Sequence, residues 1–159
     1  MDVMRLSLED HRIEPVAATP AVEWGAALSP DGKWIAYGSD ELGHPSVYVQ
    51  PFPDAGGRWE VAERGSFPRW SRDGSELFYV DATSMMVMPV ETKSGFRYGQ
   101  ARRLFDLVMQ PANELMANYD VAPDGRLLMI RKTSTESMTE HINVVLNWFD
   151  ELRRAAGRS

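Results

Sequence analysis

A chain of 159 residues with no cysteine, a formal net charge of -6 and a pI near 5.1 excludes several functions before any motif is considered. Hydrophobic residues at 43% and charged residues at 25% match ordinary soluble globular domains, which excludes disorder and membrane embedding. The acidic balance excludes the basic surface on which nucleic-acid binding depends. The lack of cysteine excludes disulfides, thiolate metal sites and a cysteine nucleophile.

The first residues give no indication of export. Residues Met1 to Asp10 alternate charged and apolar groups and lack the basic start and continuous apolar run of a signal peptide. No later stretch approaches the roughly 18 apolar residues of a membrane span. We therefore expect a soluble chain without an export signal. Its compartment stays unknown, because a cysteine-free chain suits either side of a bacterial membrane, and the parent protein can be extracytoplasmic.

The first predicted strands are Met4–Leu8 and Ile13–Val16, in which apolar residues alternate with polar ones. Pro15 has no N–H for a sheet ladder and therefore favours an outer edge strand. The next segment, Trp24–Leu28, is rich in small residues. Small side chains predict an innermost strand in a crowded position.

A four-residue motif follows Leu28 and recurs twice later in the chain, as Ser29–Gly32, Ser71–Gly74 and Ala122–Gly125. The copies stand roughly 40 to 50 residues apart, which is the period of one blade of a β-propeller. In each copy the aspartate can hydrogen-bond nearby backbone and the glycine accepts a positive φ, so each predicts a hairpin between antiparallel strands. The predicted turn residues are Asp31, Gly32, Asp73, Gly74, Asp124 and Gly125.

The segments after these turns show the two-residue period of β-strands. The positions three and five residues after the glycine are apolar or aromatic in all three copies: Ile35 and Tyr37, Leu77 and Tyr79, and Leu128 and Ile130. The opposite faces are also mostly apolar, which predicts sheets covered on both sides. Further strands are predicted at Val47–Val49, Trp59–Val61, Met86–Val90, Arg103–Phe105 and Ile142–Leu146.

These elements predict an all-β protein of about three four-stranded antiparallel blades, part of a six-bladed propeller, with a short C-terminal helix. Asn147 is the predicted cap of that helix. The predicted divisions are the end of a preceding blade at 1–18, complete blades at 19–63 and 64–108, an incomplete last blade at 109–147 and the helix at 148–157.

Four stretches carry a resemblance to a known family: Leu28–Tyr37, Val47–Pro53, Pro68–Tyr79 and Val144–Trp148. They resemble the WD-like repeats of TolB-type propellers and, more closely, the propeller behind many bacterial serine/threonine kinase domains. The resemblance covers nearly the whole chain. It implies a non-catalytic binding module, the C-terminal sensor or scaffold part of a kinase-linked or TolB-like protein. It does not imply kinase activity, because the sequence lacks the glycine-rich, lysine-bearing and His-Arg-Asp motifs of kinases.

The alternative function is that of an accessory propeller that gates access to a prolyl-oligopeptidase-like serine hydrolase domain. The sequence lacks the Gly-x-Ser-x-Gly motif of that nucleophile, and Ser66 is interpreted as a loop hydroxyl. His11, His44 and His141 are too widely spaced for a zinc site. We therefore expect no catalytic residues, no metal and no cofactor.

Four side chains are candidates for ligand contact. Glu23, Arg69 and Asp120 fall on or beside innermost strands, where propellers place groups that face the central channel. Salt bridges between adjacent blades are the favoured interpretation of these three, because charges in a crowded channel must be paired to offset desolvation. His44 ends the polar connection Asp40–His44, which lies at one predicted mouth of the channel.

The sequence leaves the partner or ligand open. One hypothesis is a homodimer, in which each copy supplies about three blades of a six-bladed ring. Apolar residues such as Leu6 and Leu128 would otherwise be exposed on terminal blades. Neither nucleic acid nor an inserted membrane is an expected partner.

Overall fold

A computed structural model describes residues 1–54, 56–107 and 117–130, and these residues form strands and their connections. In chain order the strands are β1 (Val3–Leu6), β2 (Ile13–Ala17), β3 (Glu23–Leu28), β4 (Trp34–Ser39), β5 (Ser46–Pro51), β6 (Trp59–Ala62), β7 (Ser66–Trp70), β8 (Glu76–Asp81), β9 (Ser84–Glu91), β10 (Arg97–Tyr98), β11 (Arg102–Asp106), β12 (Tyr119–Val121) and β13 (Leu127–Met129). No helix long and apolar enough to cross a membrane occurs in these ranges. The predicted helix at 148–157 and the predicted strand Ile142–Leu146 lie outside the described residues.

The strands form four sheets, which follow one another along the chain. The first and fourth sheets are the pairs β1–β2 and β12–β13. The second sheet has the order β3-β4-β5-β6, and the third begins β7-β8-β9 and ends with β10 and β11. All these strand pairs are antiparallel, as expected for strands joined by short turns. The predicted all-β fold of antiparallel sheets is confirmed.

Two short strands share the outer edge of the third sheet. β9 is eight residues long, and it pairs with β10 through Val90 and Glu91 and with β11 through its first half. Between β10 and β11 the N–H of Gly99 donates to the carbonyl of Pro89 at 2.9 Å. The sequence predicted β11 at Arg103–Phe105 and missed β10, because two residues are too few to show the period of a strand.

The turns at Ser29 and Ser71 are held by the same pattern of hydrogen bonds. The hydroxyl of Ser29 donates to the carboxylate of Asp31 at 2.6 Å and accepts the N–H of Trp34 at 3.0 Å. Ser71 makes the two matching bonds in the next turn, at 2.7 and 2.9 Å. Each serine therefore ties the start of one strand to the end of the strand before it.

The third turn is shorter. Ala122 has no hydroxyl, and its N–H donates to the carbonyl four residues on, whereas the corresponding bond of the first turn spans five residues. Leu127 therefore takes the paired position that Ile35 holds in the second sheet. Leu128 faces outward instead and is 72% exposed, while Ile35 is buried. The predicted correspondence of Leu128 with Ile35 is wrong for this reason.

Apolar side chains fill the spaces between successive sheets. Tyr37 and Tyr48 belong to the layer between the first and second sheets. Trp34, Trp70 and Leu77 belong to the layer between the second and third sheets, and a further layer lies between the third and fourth. Because layers lie on both sides of a middle sheet, all six residues of β4 are buried.

Candidate ligand-binding pocket

A pocket of about 330 Å³ opens at one edge of the stacked sheets. We call this edge, at which β3, β7 and β12 begin, the upper edge, and we call the cavity the upper pocket. The β4–β5 and β8–β9 connections meet the first residues of β7 and β12 there. The pocket is lined by His44, Pro45, Arg64, Gly65, Ser66, Phe67, Val80, Asp81, Ala82, Met85, Leu107, Asn118, Tyr119 and Met129.

Phe67 belongs to the apolar floor of the pocket and has an unusual backbone conformation. Its φ is 56°, in the left-handed region, and the register of β7 shifts between Ser66 and Arg69. Gly25 holds the corresponding place in β3, with a φ of 64° and a similar register shift. Glycine adopts this conformation freely, whereas a side chain there costs about 1–3 kcal/mol. Contacts around Phe67 must therefore hold this bulge.

Tyr119 holds the bulge from the neighbouring sheet. Its hydroxyl donates to the Phe67 carbonyl at 2.6 Å, and both residues are 6% exposed. Burial raises the pKa of the Tyr119 hydroxyl, so it remains a protonated donor at neutral pH. One sheet earlier, the Arg69 guanidinium donates to the Gly25 carbonyl at 3.3 Å. In both places a side chain of one sheet satisfies the bulge carbonyl of the sheet before it.

The polar residues that line the pocket with this floor include His44, Arg64 and Asp81. The hydroxyl of Ser46 donates to the Glu63 carbonyl at 3.0 Å and lies 3.2 Å from Nδ1 of His44. With the serine hydrogen directed at that carbonyl, a hydrogen on Nδ1 of His44 can be donated to the serine oxygen, and in that tautomer Nε2 is an acceptor. Arg64 and Asp81 form no ion pair with any other described residue.

Of the four predicted ligand candidates, His44 alone lies in the upper pocket. Glu23 is buried at the start of β3, where its carboxylate accepts hydrogen bonds from the hydroxyl and N–H of Thr19. Arg69 donates to two backbone carbonyls. Asp120 is exposed on β12 and accepts the N–H of the next residue.

The structure replaces the favoured salt bridges of these charges with other hydrogen bonds. No ion pair among residues 1–54, 56–107 and 117–130 includes Glu23, Arg69 or Asp120. Thr19 donates to one oxygen of the Glu23 carboxylate, and the other oxygen, Oε2, is buried without a hydrogen-bond partner among the described residues. The Arg69 guanidinium donates to backbone carbonyls instead of a carboxylate. A role of the three side chains in ligand contact stays a prediction.

The predicted turn residues lie at the opposite, lower edge of the sheets. The three glycines have φ values of 68°, 71° and 82°, and each aspartate accepts the N–H of the residue two positions on. Hydrogen bonds, chiefly the one from the Ser29 hydroxyl, lower the pKa of Asp31. Hydrogen bonds, chiefly the one from the Ser71 hydroxyl, lower the pKa of Asp73 to about 2. The residues concerned are Asp31, Gly32, Asp73, Gly74, Asp124 and Gly125.

The described part of the pocket contains neither a serine paired with a histidine as a nucleophile nor a metal-binding cluster. Ser46, which contacts His44, is fully buried and donates a hydrogen bond to the Glu63 carbonyl, so it is not placed to act as a nucleophile. Among the described side chains no histidine is hydrogen-bonded to Ser66. In the same part of the chain no group of three or more His, Asp or Glu residues is placed to hold a metal ion.

The stacked antiparallel sheets match a fold known from solved structures. A TolB protein from Agrobacterium tumefaciens superposes with a TM-score of 0.54 at 19% sequence identity, over 67% of this chain and 41% of that one. The fold is that of β-propeller blades. TolB from Acinetobacter baumannii matches with a TM-score of 0.42 at 13% identity, over 84% of this chain and 43% of that one. The chain therefore spans less than half the length of either protein.

This likeness concerns the fold of the propeller blades. No protein-family model matches the chain, and no curated protein matches it significantly. That the second and third sheets are complete blades, with β3, β7 and β12 as innermost strands, stays a prediction. The upper pocket lies at the edge of the sheets where these three strands begin.

Proposed function

We propose that the chain is a non-catalytic propeller module that binds partner proteins, and that the upper pocket is its binding site. The composition of the pocket carries this proposal: a buried apolar floor that includes Phe67, Met85 and Tyr119, with a few polar side chains around it. Pockets with this composition are typical recognition sites. Apolar anchors that fill desolvated pockets also supply much of the free energy of protein–protein binding.

The position of the pocket supports the same function. His44 lies in the β4–β5 connection of the second sheet, Asp81 ends β8 of the third sheet, and Asn118 immediately precedes β12 of the fourth. Binding residues are concentrated on connections that a rigid scaffold positions. Because three blades contribute to the lining, the pocket forms only when these blades are stacked.

We also propose that the chain is the sensor or scaffold part of a larger kinase-linked or TolB-like protein. The resemblance of Leu28–Tyr37 and Pro68–Tyr79 to such propellers supports this context, as does a match to only 41% of a TolB structure.

Apolar residues exposed at both ends of the stack support contact with further blades. Leu6 is 54% exposed on the first sheet, and Leu128 is 72% exposed on the fourth. A homodimer is one way to supply those blades. Light scattering at several concentrations tests it: a stable mass of twice 17.9 kDa supports the homodimer, and a monomer throughout contradicts it.

The binding function is tested by selecting peptides from a displayed random library on the immobilised chain. Ser66→Leu puts a branched side chain in the pocket lining, and Ser94→Leu makes the same change at an exposed position between β9 and β10. Thermal unfolding first establishes that both variants fold. We expect selected peptides to bind Ser94→Leu like the wild type and to bind Ser66→Leu at least about tenfold more weakly. Failure to select any peptide, or equal binding to Ser66→Leu, contradicts the proposed function.

A further inference from the structure

The kind of partner segment follows from the size and charge of the upper pocket, and this inference rests on the proposed function. We propose that the pocket takes one large apolar side chain, aromatic or branched, from an extended segment of the partner. Arg64 and Asp81 hydrogen-bond the peptide groups on either side of that side chain.

The volume of the pocket fits a single anchor. At about 330 Å³ it lies near the lower end of the roughly 300–1,000 Å³ range of small-molecule sites. Its floor includes two methionines, Met85 and Met129, beside the ring of Phe67. Methionine side chains adapt their shape to different apolar groups. The floor therefore accepts either an aromatic or a branched aliphatic side chain.

The charges around the pocket favour a neutral ligand with both a donor and an acceptor. Arg64 is a cation and Asp81 an anion, and the two form no ion pair with each other. A peptide segment offers a carbonyl to Arg64 and an N–H to Asp81. A ligand carboxylate would be attracted by Arg64 but repelled by Asp81, and a ligand amine would be attracted by Asp81 but repelled by Arg64. For a ligand with a single charge the two interactions therefore offset each other. Charge complementarity therefore favours peptide backbone over an acid or an amine.

His44 strengthens this preference for a peptide backbone. Nδ1 of His44 lies 3.2 Å from the buried Ser46 hydroxyl, and the tautomer with a hydrogen on Nδ1 presents Nε2 as an acceptor. An additional neutral acceptor suits the N–H groups of an extended chain, which has one such donor per residue.

The test uses three probes that share a phenyl group and differ in charge: N-acetyl-L-phenylalaninamide, phenylacetate and phenethylammonium. Binding to the whole chain is followed by NMR of methionines labelled with ¹³C at the methyl group, assigned with single Met→Leu variants. Met85 and Met129 report on the pocket, whereas Met88, buried between the full blades, and Met4, exposed on β1, are matched controls. We expect the neutral probe to shift Met85 and Met129 alone, with a Kd on the order of 1 mM.

The charge variants make the preference measurable. The wild type should bind the neutral probe at least about threefold more tightly than either charged probe. Asp81→Asn should strengthen binding of phenylacetate severalfold, and Arg64→Gln should do so for phenethylammonium. The inference is overturned if a charged probe binds the wild type best, or if the neutral probe leaves Met85 and Met129 unshifted.

The two proposals fail in different ways. Selected peptides that depend on Ser66 but contain no large apolar residue overturn the anchor inference and leave the binding function standing. A neutral probe that binds while no peptide can be selected supports the chemistry assigned to the pocket and contradicts the protein-binding function.

Discussion

Replacing Tyr119 with phenylalanine removes one hydroxyl group and keeps the ring. In the wild type this hydroxyl donates to the Phe67 carbonyl at 2.6 Å, in a place where both residues are 6% exposed. Without it the carbonyl of a strained residue loses its partner away from water. An unsatisfied buried acceptor costs about 1–3 kcal/mol, so we expect Tyr119→Phe to lower the free energy of unfolding by about 2 kcal/mol. Urea denaturation followed by tryptophan fluorescence measures this loss.

Tyr98→Phe is the matched control. The Tyr98 hydroxyl also donates to a backbone carbonyl, that of Glu60, at 3.2 Å, but Tyr98 is 46% exposed. Water can replace the lost hydrogen bond there, so the expected change is below about 0.5 kcal/mol. An equal loss in Tyr98→Phe and Tyr119→Phe would show that burial does not govern the effect.

The pH dependence of the free energy of unfolding is a second test of the same contact. Burial raises the pKa of Tyr119 in the folded chain above the ordinary value of 10.0, so the unfolded chain loses this proton first as the pH rises. The stabilising contribution of the hydroxyl is complete below that value and is lost above it. The difference in the free energy of unfolding between the wild type and Tyr119→Phe should therefore shrink once the pH exceeds 10.0. A gap that is absent at neutral pH refutes the assigned role of the hydroxyl in holding the bulge, and one that stays constant at high pH refutes the assigned pKa shift.

Three further changes test the packing and the turns. Gly38→Ala places a Cβ 2.7 Å from the ring of Trp24, and we expect this overpacking to lower the free energy of unfolding by about 1–3 kcal/mol in urea denaturation. Ser71→Ala removes one hydrogen bond to the N–H of Glu76 and one to Asp73, with an expected loss of about 1–2 kcal/mol by the same measurement. Asp73→Asn tests the lowered pKa of about 2: the stabilising charge is present above 3.8 and is lost below it. The stability gap between the wild type and Asp73→Asn should accordingly close in urea titrations as the pH falls from 3.8 towards 2.

For each of these three substitutions, one outcome would contradict the prediction. Gly56→Ala, whose new Cβ would lie at an ordinary 3.5 Å from Pro51, should be much less destabilising than Gly38→Ala, and equal losses would exclude the clash. An unchanged stability of Ser71→Ala would show that water replaces both bonds. A gap for Asp73→Asn that stays constant as the medium is acidified would exclude the charge as the stabilising group.

The sequence by itself determined the fold class and the positions of the main strands. These features depend on short-range patterns, which are the two-residue period of strands such as Trp34–Ser39 and the turn chemistry at Asp31 and Asp73. Such local signals are present in the chain before any sheets pack together.

Only the tertiary structure decided the register of the third turn and the composition of the upper pocket. Phe67, Asp81 and Tyr119 carry no shared sequence pattern, and the nearest sequence signal was Gly25 at the corresponding place of an earlier strand. In the lining of the pocket, a bulge in one sheet leaves a carbonyl that accepts a hydrogen bond from a hydroxyl of the next sheet. The bulge at Gly25 likewise leaves a carbonyl that accepts a hydrogen bond from Arg69, which has this partner in place of a salt bridge. Which carbonyl is left free, and which side chain reaches it, depends on how whole sheets stack, and no local pattern in the chain encodes that relation.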